Sequence, residues 1–229
     1  MSNFLVNPYR FAVAGAWFED DYTDASLWTQ DGTEINVNSD YSDAVGGTAI
    51  TNNASIQRVY RALPGDLNDE LWYMDMKQNY ITSIANAQLF SINLTGGTNE
   101  VYGTIDLIGV LLSHINATDF SIVAWSRYTA SSPTGQVYTS AVNKTKGTEY
   151  YYRLSRDSAT QMTMTLFTDE SGGTVASGFP QSQTIASTAG SSVSGTALDT
   201  VQTSNFNSGD LRTQSWNGTD IKIYDNESP

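Results

Sequence analysis

The sequence predicts an all-β domain made of two packed antiparallel layers, and three observations carry that expectation. The stretch from Gly147 to Thr168 alternates inward and outward side chains twice, on either side of a polar break, the period-2 signature of two paired strands. Strand-like segments recur along the whole chain, whereas no run of ten or more residues shows a capped 3.6-residue period. The length of 229 residues, with five prolines and no low-complexity block, suits one large β domain, because sandwiches commonly run to about 200 to 250 residues undivided.

Taken in order, Ile35 to Asn38 and Ile56 to Leu63 alternate over short spans, the second with Arg58 and Tyr60 on one side and Val59, Arg61 and Leu63 on the other. From Trp72 to Tyr80, Trp72, Met74, Met76 and Tyr80 share a face that should be core, while Tyr73, Asp75, Lys77 and Asn79 share the opposite one. Leu89 to Leu94 and Tyr102 to Leu112 are largely apolar runs separated by the turn-forming Gly96 to Asn99. Ile105 to Leu112 is the best buried strand, with a helical turn near Ile108 to Ser113 as the alternative. Phe120 to Tyr128 is apolar on both faces, as expected of a strand covered on both sides, and its outer face offers a binding floor. The turn from Ala130 to Gly135 leads to Gln136 to Val142. In the hairpin that follows, Tyr150, Tyr152 and Leu154 face one way and Met162, Met164 and Leu166 answer them, with Arg156 to Thr160 as the connection. The Ser/Gly/Thr-rich stretch from Ser182 to Thr203 reads as a long loop holding one short strand, and Asp220 to Tyr224 closes the chain.

Acidic residues outnumber basic ones 24 to 11, giving a formal charge of -13. That balance repels phosphate backbones and anionic lipid surfaces, so neither nucleic acid nor membrane insertion is expected. Cysteine is absent, which removes disulfides, thiolate metal sites and thiol nucleophiles together. No apolar run reaches the roughly 18 residues of a membrane span, and the first residues lack the basic and apolar regions of a signal peptide.

Four segments resemble the concanavalin A-like lectin/glucanase jelly-roll superfamily, which includes laminin-G-like domains. Phe18-Glu-Asp-Asp-Tyr-Thr-Asp-Ala-Ser-Leu-Trp28 is similar to the opening of these domains, and Trp72-Tyr-Met-Asp-Met-Lys77 to their first long core strand. Gly147-Thr-Glu-Tyr-Tyr-Tyr-Arg-Leu154 with Thr163 to Phe167 resembles their paired strands, and Gly218-Thr-Asp-Ile-Lys-Ile-Tyr-Asp225 their closing strand. The resemblance implies a two-sheet antiparallel sandwich over residues 18–229 with its first and last strands adjacent. Ser2 to Ala12 resembles the opening of tailed-phage structural proteins. Residues 1–17 are accordingly expected to form an arm whose Phe4, Leu5, Tyr9 and Phe11 are covered by a partner or fold back as an extra strand.

Catalysis is not expected. Glycoside hydrolysis needs two carboxylates roughly 5 to 10 Å apart, and Glu100 and Asp106 have the wrong spacing for the superfamily's Glu-x-Asp-x-x-Glu strand. His114 is the only histidine, and Gly-x-Ser-x-Gly does not occur. Calcium is the one metal with ligands to draw on, because Asp20, Asp21 and Asp24 share the opening loop while Asp220 and Asp225 flank the last strand. For a glycan, aromatic faces flanked by polar side chains are required. Trp125, Arg127, Tyr128 and Tyr138 are the candidates, with Tyr73 and Asn79 nearby if sheet order follows the superfamily. The expected role is a non-catalytic virion surface protein, decorating a capsid or tail as a homo-oligomer and contacting host surface polysaccharide. The alternative is an extracellular carbohydrate-binding module outside any virion; a glycoside hydrolase or polysaccharide lyase ranks below both.

Overall fold

The computed structural model describes residues 15–20, 24–31, 35–37, 42–44, 57–67, 71–83, 88–98, 105–128, 135–169, 172–188, 191–193, 198–207 and 214–225. Within these, the side chains of 35–37, 42–44, 57, 78–83, 88–90, 187–188, 191–192, 205–207 and 214–220 are not described. The strands run β1 (Phe18–Asp20), β2 (Thr29–Asp31), β3 (Ile35–Val37), β4 (Ser42–Ala44), β5 (Gln57–Ala62) and β6 (Trp72–Ser83). There follow β7 (Gln88–Thr95), β8 (Leu107–His114), β9 (Asp119–Arg127), β10 (Gln136–Tyr138), β11 (Val142–Thr145) and β12 (Glu149–Ser158). The last are β13 (Gln161–Phe167), β14 (Gln181–Thr184), β15 (Ser187–Thr188), β16 (Ser191–Ser192), β17 (Thr200–Asn207) and β18 (Gln214–Asp225).

Two antiparallel sheets pack face to face as a sandwich. The first has the order β14-β13-β12-β6-β18-β4-β3, with β1 also paired to β18; the second has β10-β9-β8-β7-β17-β5-β2, with β11 also paired to β9. First and last strands are adjacent, as the resemblance implies: Phe18 lies opposite Ile223. Strict alternation builds the core. Trp72, Met74 and Met76 of β6, Tyr152 and Leu154 of β12, Met162, Met164 and Leu166 of β13, and Ile221 and Ile223 of β18 face Ile108, Val110 and Leu112 of β8 and Phe120, Ile122 and Ala124 of β9. Between Thr219 and Lys222, β18 carries one residue more than β6 opposite it. That bulge resets the phase of the strand. Without it Ile221, not Lys222, would lie opposite Asp75, and the two isoleucines would point to solvent.

Two expectations need correction, and one alternative falls away. The β12–β13 connection is shorter than Arg156 to Thr160, because β12 runs on through Ser158. Arg156 is tolerated there, 1% exposed, because its Nε and Nη2 donate to the Ser158 and Ala159 carbonyls at 3.3 and 3.1 Å. The stretch from Ser182 to Thr203 is richer in strand than a loop, since β17 begins within it and pairs on both sides, with β5 and β7. Near Ile108 to Ser113 there is no helical turn; those residues belong to β8.

Among the described core groups, Trp72 Nε1 and Tyr152 OH are buried without a hydrogen-bond partner. Burial, reinforced by the charge of Tyr150, pushes the Tyr152 phenol far above its ordinary value. Tyr152→Phe should therefore leave stability unchanged or raise it slightly, because an unpaired buried hydroxyl is a net cost. A loss of more than ~1 kcal/mol in urea unfolding would show a missed partner. The unfolded phenol ionises near pH ~10 while the folded one stays protonated. The contribution of Tyr152 is therefore intact below that pH and falls as pH rises above it, so Tyr152→Phe should blunt alkaline destabilisation in pH-dependent melts.

Candidate functional site

The outward positions of β6, β12 and β18 meet in rows fixed by strand register. Asp75 lies opposite Arg153 on one side and Lys222 on the other, with Glu19 beyond Lys222. Tyr73 lies opposite Tyr224, and Lys77 opposite Tyr151, which in turn faces Phe167 of β13. These rows bound an open cleft of about 270 Å³, closed at one side by Gly172. Its size sits just below the roughly 300 to 1,000 Å³ of pockets for drug-sized ligands, suiting a group the size of one or two sugar rings.

The cleft is rigid at its centre. Arg153 Nε and Nη2 donate to Asp75 Oδ1 and Oδ2, both at 2.7 Å, the bidentate fork that fixes a guanidinium in plane. Its charged carbon lies 4.7 Å from the centre of the Tyr73 ring and 5.7 Å from that of Phe167. The hydrogen bond to Asp75 and that carboxylate's charge hold Arg153 still more firmly protonated, against the smaller opposing effect of burial. Tyr73 and Tyr224 stack with ring centres 4.4 Å apart and planes 16° from parallel; Tyr73 is buried and Tyr224 half-buried. Lys77 lies 3.3 Å from Glu149 and 5.8 Å from the Tyr151 ring centre, and Lys222 lies 3.1 Å from Glu19. Asp75 is the one carboxylate among the described lining residues, and both of its oxygens are engaged.

The glycan candidates do not assemble as the sequence suggested. Tyr73 and Asn79 lie on β6 in one sheet, whereas Trp125 and Arg127 on β9, Tyr138 on β10 and Tyr128 just past β9 belong to the other. Trp125 is completely buried, so it offers no face to a sugar. Its indole crosses Gly109, directly opposite it, and donates to Asn93 Oδ1 at 2.9 Å. With Ile105, Leu107 and Leu111 it forms a second apolar cluster on the outside of its sheet. The expected binding floor is thus closed. Tyr138 stacks on Trp125 at 6.0 Å and is 44% exposed, and Arg127 and Tyr128 are half-buried. Tyr73 does not line the cleft but stacks on Tyr224, which does. The Asn79 backbone pairs with Glu149 and Asn217.

The proposed calcium ligands are dispersed among other tasks. Asp20 is buried, ion-paired with Arg61 and accepts from Trp28 Nε1 at 3.2 Å. Asp24 caps the 3-10 turn Ala25–Leu27, accepting from the amide and hydroxyl of Ser26 at 3.0 and 2.6 Å. Asp225 ends β18 opposite Trp72. Asp21 and the Asp220 side chain lie outside the described set, as do Glu100 and the arm residues Phe4, Leu5, Tyr9 and Phe11. Among the described residues no group of three His, Cys, Asp or Glu side chains comes together. Asp106 is buried at 6% exposure.

Sequence reasoning did not single out Asp75, Lys77, Tyr151, Arg153, Phe167, Lys222 and Tyr224 as a site. A signal existed: on the outward positions of β6, β12 and β18 an aromatic recurs two residues from a charge, as Tyr73 to Asp75, Tyr151 to Arg153 and Lys222 to Tyr224.

No family model matches the chain, and no curated protein matches it in sequence. Solved structures match the fold. The carbohydrate recognition domain of Emp46p, in potassium-bound form, is 13% identical with a TM-score of 0.57, the match covering 91% of this chain and 93% of that one. The exoplasmic/lumenal domain of VIP36, in Ca2+-bound form, is 10% identical with a TM-score of 0.55, covering 92% and 90% respectively. A GH43 protein of Bacillus licheniformis, also 10% identical with a TM-score of 0.55, is matched over 90% of this chain but only 39% of its own length. The fold is the lectin-like, concanavalin A-like sandwich.

Two substitutions test the closed sheet face. Trp125→Ala should cost about 3 to 5 kcal/mol in chemical unfolding, as for other buried aromatics; a variant of unchanged stability would mean the ring is surface-exposed. Gly109→Ala should also destabilise, because its Cβ would come within 2.5 Å of the Ile92 carbonyl oxygen and closer still to Asn93 Oδ1.

Proposed function

We propose that this protein is a non-catalytic carbohydrate-binding module whose site is the cleft across β6, β12 and β18. One observation carries the reading: a solvent-open cleft joins half-buried aromatic rings to a locked guanidinium and two ammonium groups on a lectin-type sandwich. Tyr224, Tyr151 and Phe167 offer apolar faces for the C–H face of a pyranose, and the charged groups offer donors and acceptors for its hydroxyls. Preorganisation favours affinity, because Tyr224 is backed by Tyr73 and Arg153 is fixed by Asp75 before any ligand arrives. The glycan Man3GlcNAc bound in a solved form of the VIP36 domain supports the same class of ligand.

Non-catalysis is supported by Asp75 being the one carboxylate among the described lining residues, since hydrolysis of a glycosidic bond needs an acid and a second carboxylate across the bond. Calcium plays no part in this reading. Melts in millimolar calcium and in chelator should coincide, and a calcium-dependent rise in melting temperature would reveal binding to the folded state.

The finer setting is display outside the cell as homo-oligomeric copies on a virus particle, where the domain would meet host polysaccharide. It rests on the resemblance of residues 2–12 alone. Proteomics of purified particles tests it, and consistent absence of the chain would overturn it.

For the binding site itself, the expected result on a glycan array is selective binding that Tyr224→Ala weakens about tenfold, in line with the loss of one stacking partner. Its melting temperature should barely change. No glycan bound, or release of new reducing ends from the bound one, would refute the module.

A further inference from the structure

The charge of the same cleft, taken with the carbohydrate-binding reading on which this step rests, points to the class of glycan. Only 11 residues of this chain are basic against 24 acidic ones, yet Lys77, Arg153 and Lys222 line one cleft with Asp75 as the only described carboxylate. Asp75 is already neutralised through two hydrogen bonds to Arg153. Lys77 and Lys222 instead pair with rim carboxylates, Glu149 at 46% and Glu19 at 60% side-chain exposure. Exposed pairs of this kind contribute little, because water screens them and both side chains lose freedom. An incoming anion that replaces Glu149 or Glu19 therefore meets small resistance, and gains the ammonium group so released, Lys77 or Lys222.

We infer that the cleft takes an acidic polysaccharide, with carboxylates or sulfates of its sugar units received by the Lys77 and Lys222 ammonium groups and a ring of the polymer against Tyr224. The overall charge of -13 does not forbid this, since repulsion from distant acids is screened beyond roughly 8 Å at physiological salt.

The experiment is a glycan array and matched affinity electrophoresis with the full chain. Polygalacturonate is compared with its methyl-esterified form, a sulfated galactan with its desulfated form, and single-stranded DNA serves as a bare polyanion. Binding to an acidic glycan at least tenfold tighter than to its neutral counterpart is expected, and weaker at high salt. The polyuronate and sulfate arms assign the anion. Lys77→Ala with Lys222→Ala should abolish that preference while the melting temperature stays within a few degrees; a preference that survives overturns the inference. Equal binding to the neutral counterparts overturns the charge inference and leaves the carbohydrate-binding module standing. Binding to no glycan overturns both. DNA bound as tightly as the glycans would reduce the cleft to a simple cation patch and equally overturn the inference.

Discussion

The register that ties β6 to β12 and β18 is the constraint on which the rest depends. Sliding either neighbour by one residue would exchange its two faces, because side chains alternate along a strand. Trp72, Met74 and Met76 hold that register from the inside, with Tyr152, Leu154, Ile221 and Ile223 as their counterparts. What the core fixes inside, it fixes outside as well: Arg153, Asp75 and Lys222 fall into one row because the apolar residues beside them cannot move. The extra residue of β18 belongs to this constraint. It is the device by which one strand serves β6 first with a polar stretch and then with alternating isoleucines.

The two outer sheet faces obey the same period and meet opposite fates. On the second sheet, Gly109 leaves room for the Asn93 side chain, whose Oδ1 receives the Trp125 indole N–H. Around it, Ser91 and Ser204 share a hydrogen bond, and Asn93 donates to Ser91, so that these buried side chains satisfy one another. On the first sheet, no glycine clears a path between Tyr73 and its neighbours, and the aromatic rings stack upward with Arg153 beside them. Tyrosine and tryptophan content alone therefore says little about binding; the residue opposite each ring decides whether it lies down or stands.

Much of the fold was legible because the inner and outer faces differ in chemistry. β12, β13, β8 and β9 show their alternation openly, and the meeting of β1 with β18 followed from the resemblance of the chain's two ends to a known pattern. β17 was not legible, since Gln202 and Ser204 are polar on a face that is nevertheless buried. Sequence polarity reports exposure only where burial is apolar. Arg156 misled for a related reason: a charged residue marks a turn unless nearby carbonyls receive it, and carbonyls two and three residues away do so here. The site was half legible. The outward set Tyr73, Asp75 and Lys77 is plain from the alternation of β6, but its partners come from strands more than seventy residues downstream, and only pairing order joins them.

The adjacency of β1 and β18 also shapes how the domain can be carried. Phe18 stands opposite Ile223, two positions before β18 ends, so the polypeptide arrives and departs side by side at one margin of the sandwich. Strands β1 and β18 thus bring the two ends of the sandwich to one place, the arrangement that lets a domain be inserted into or hung from another chain without parting its layers.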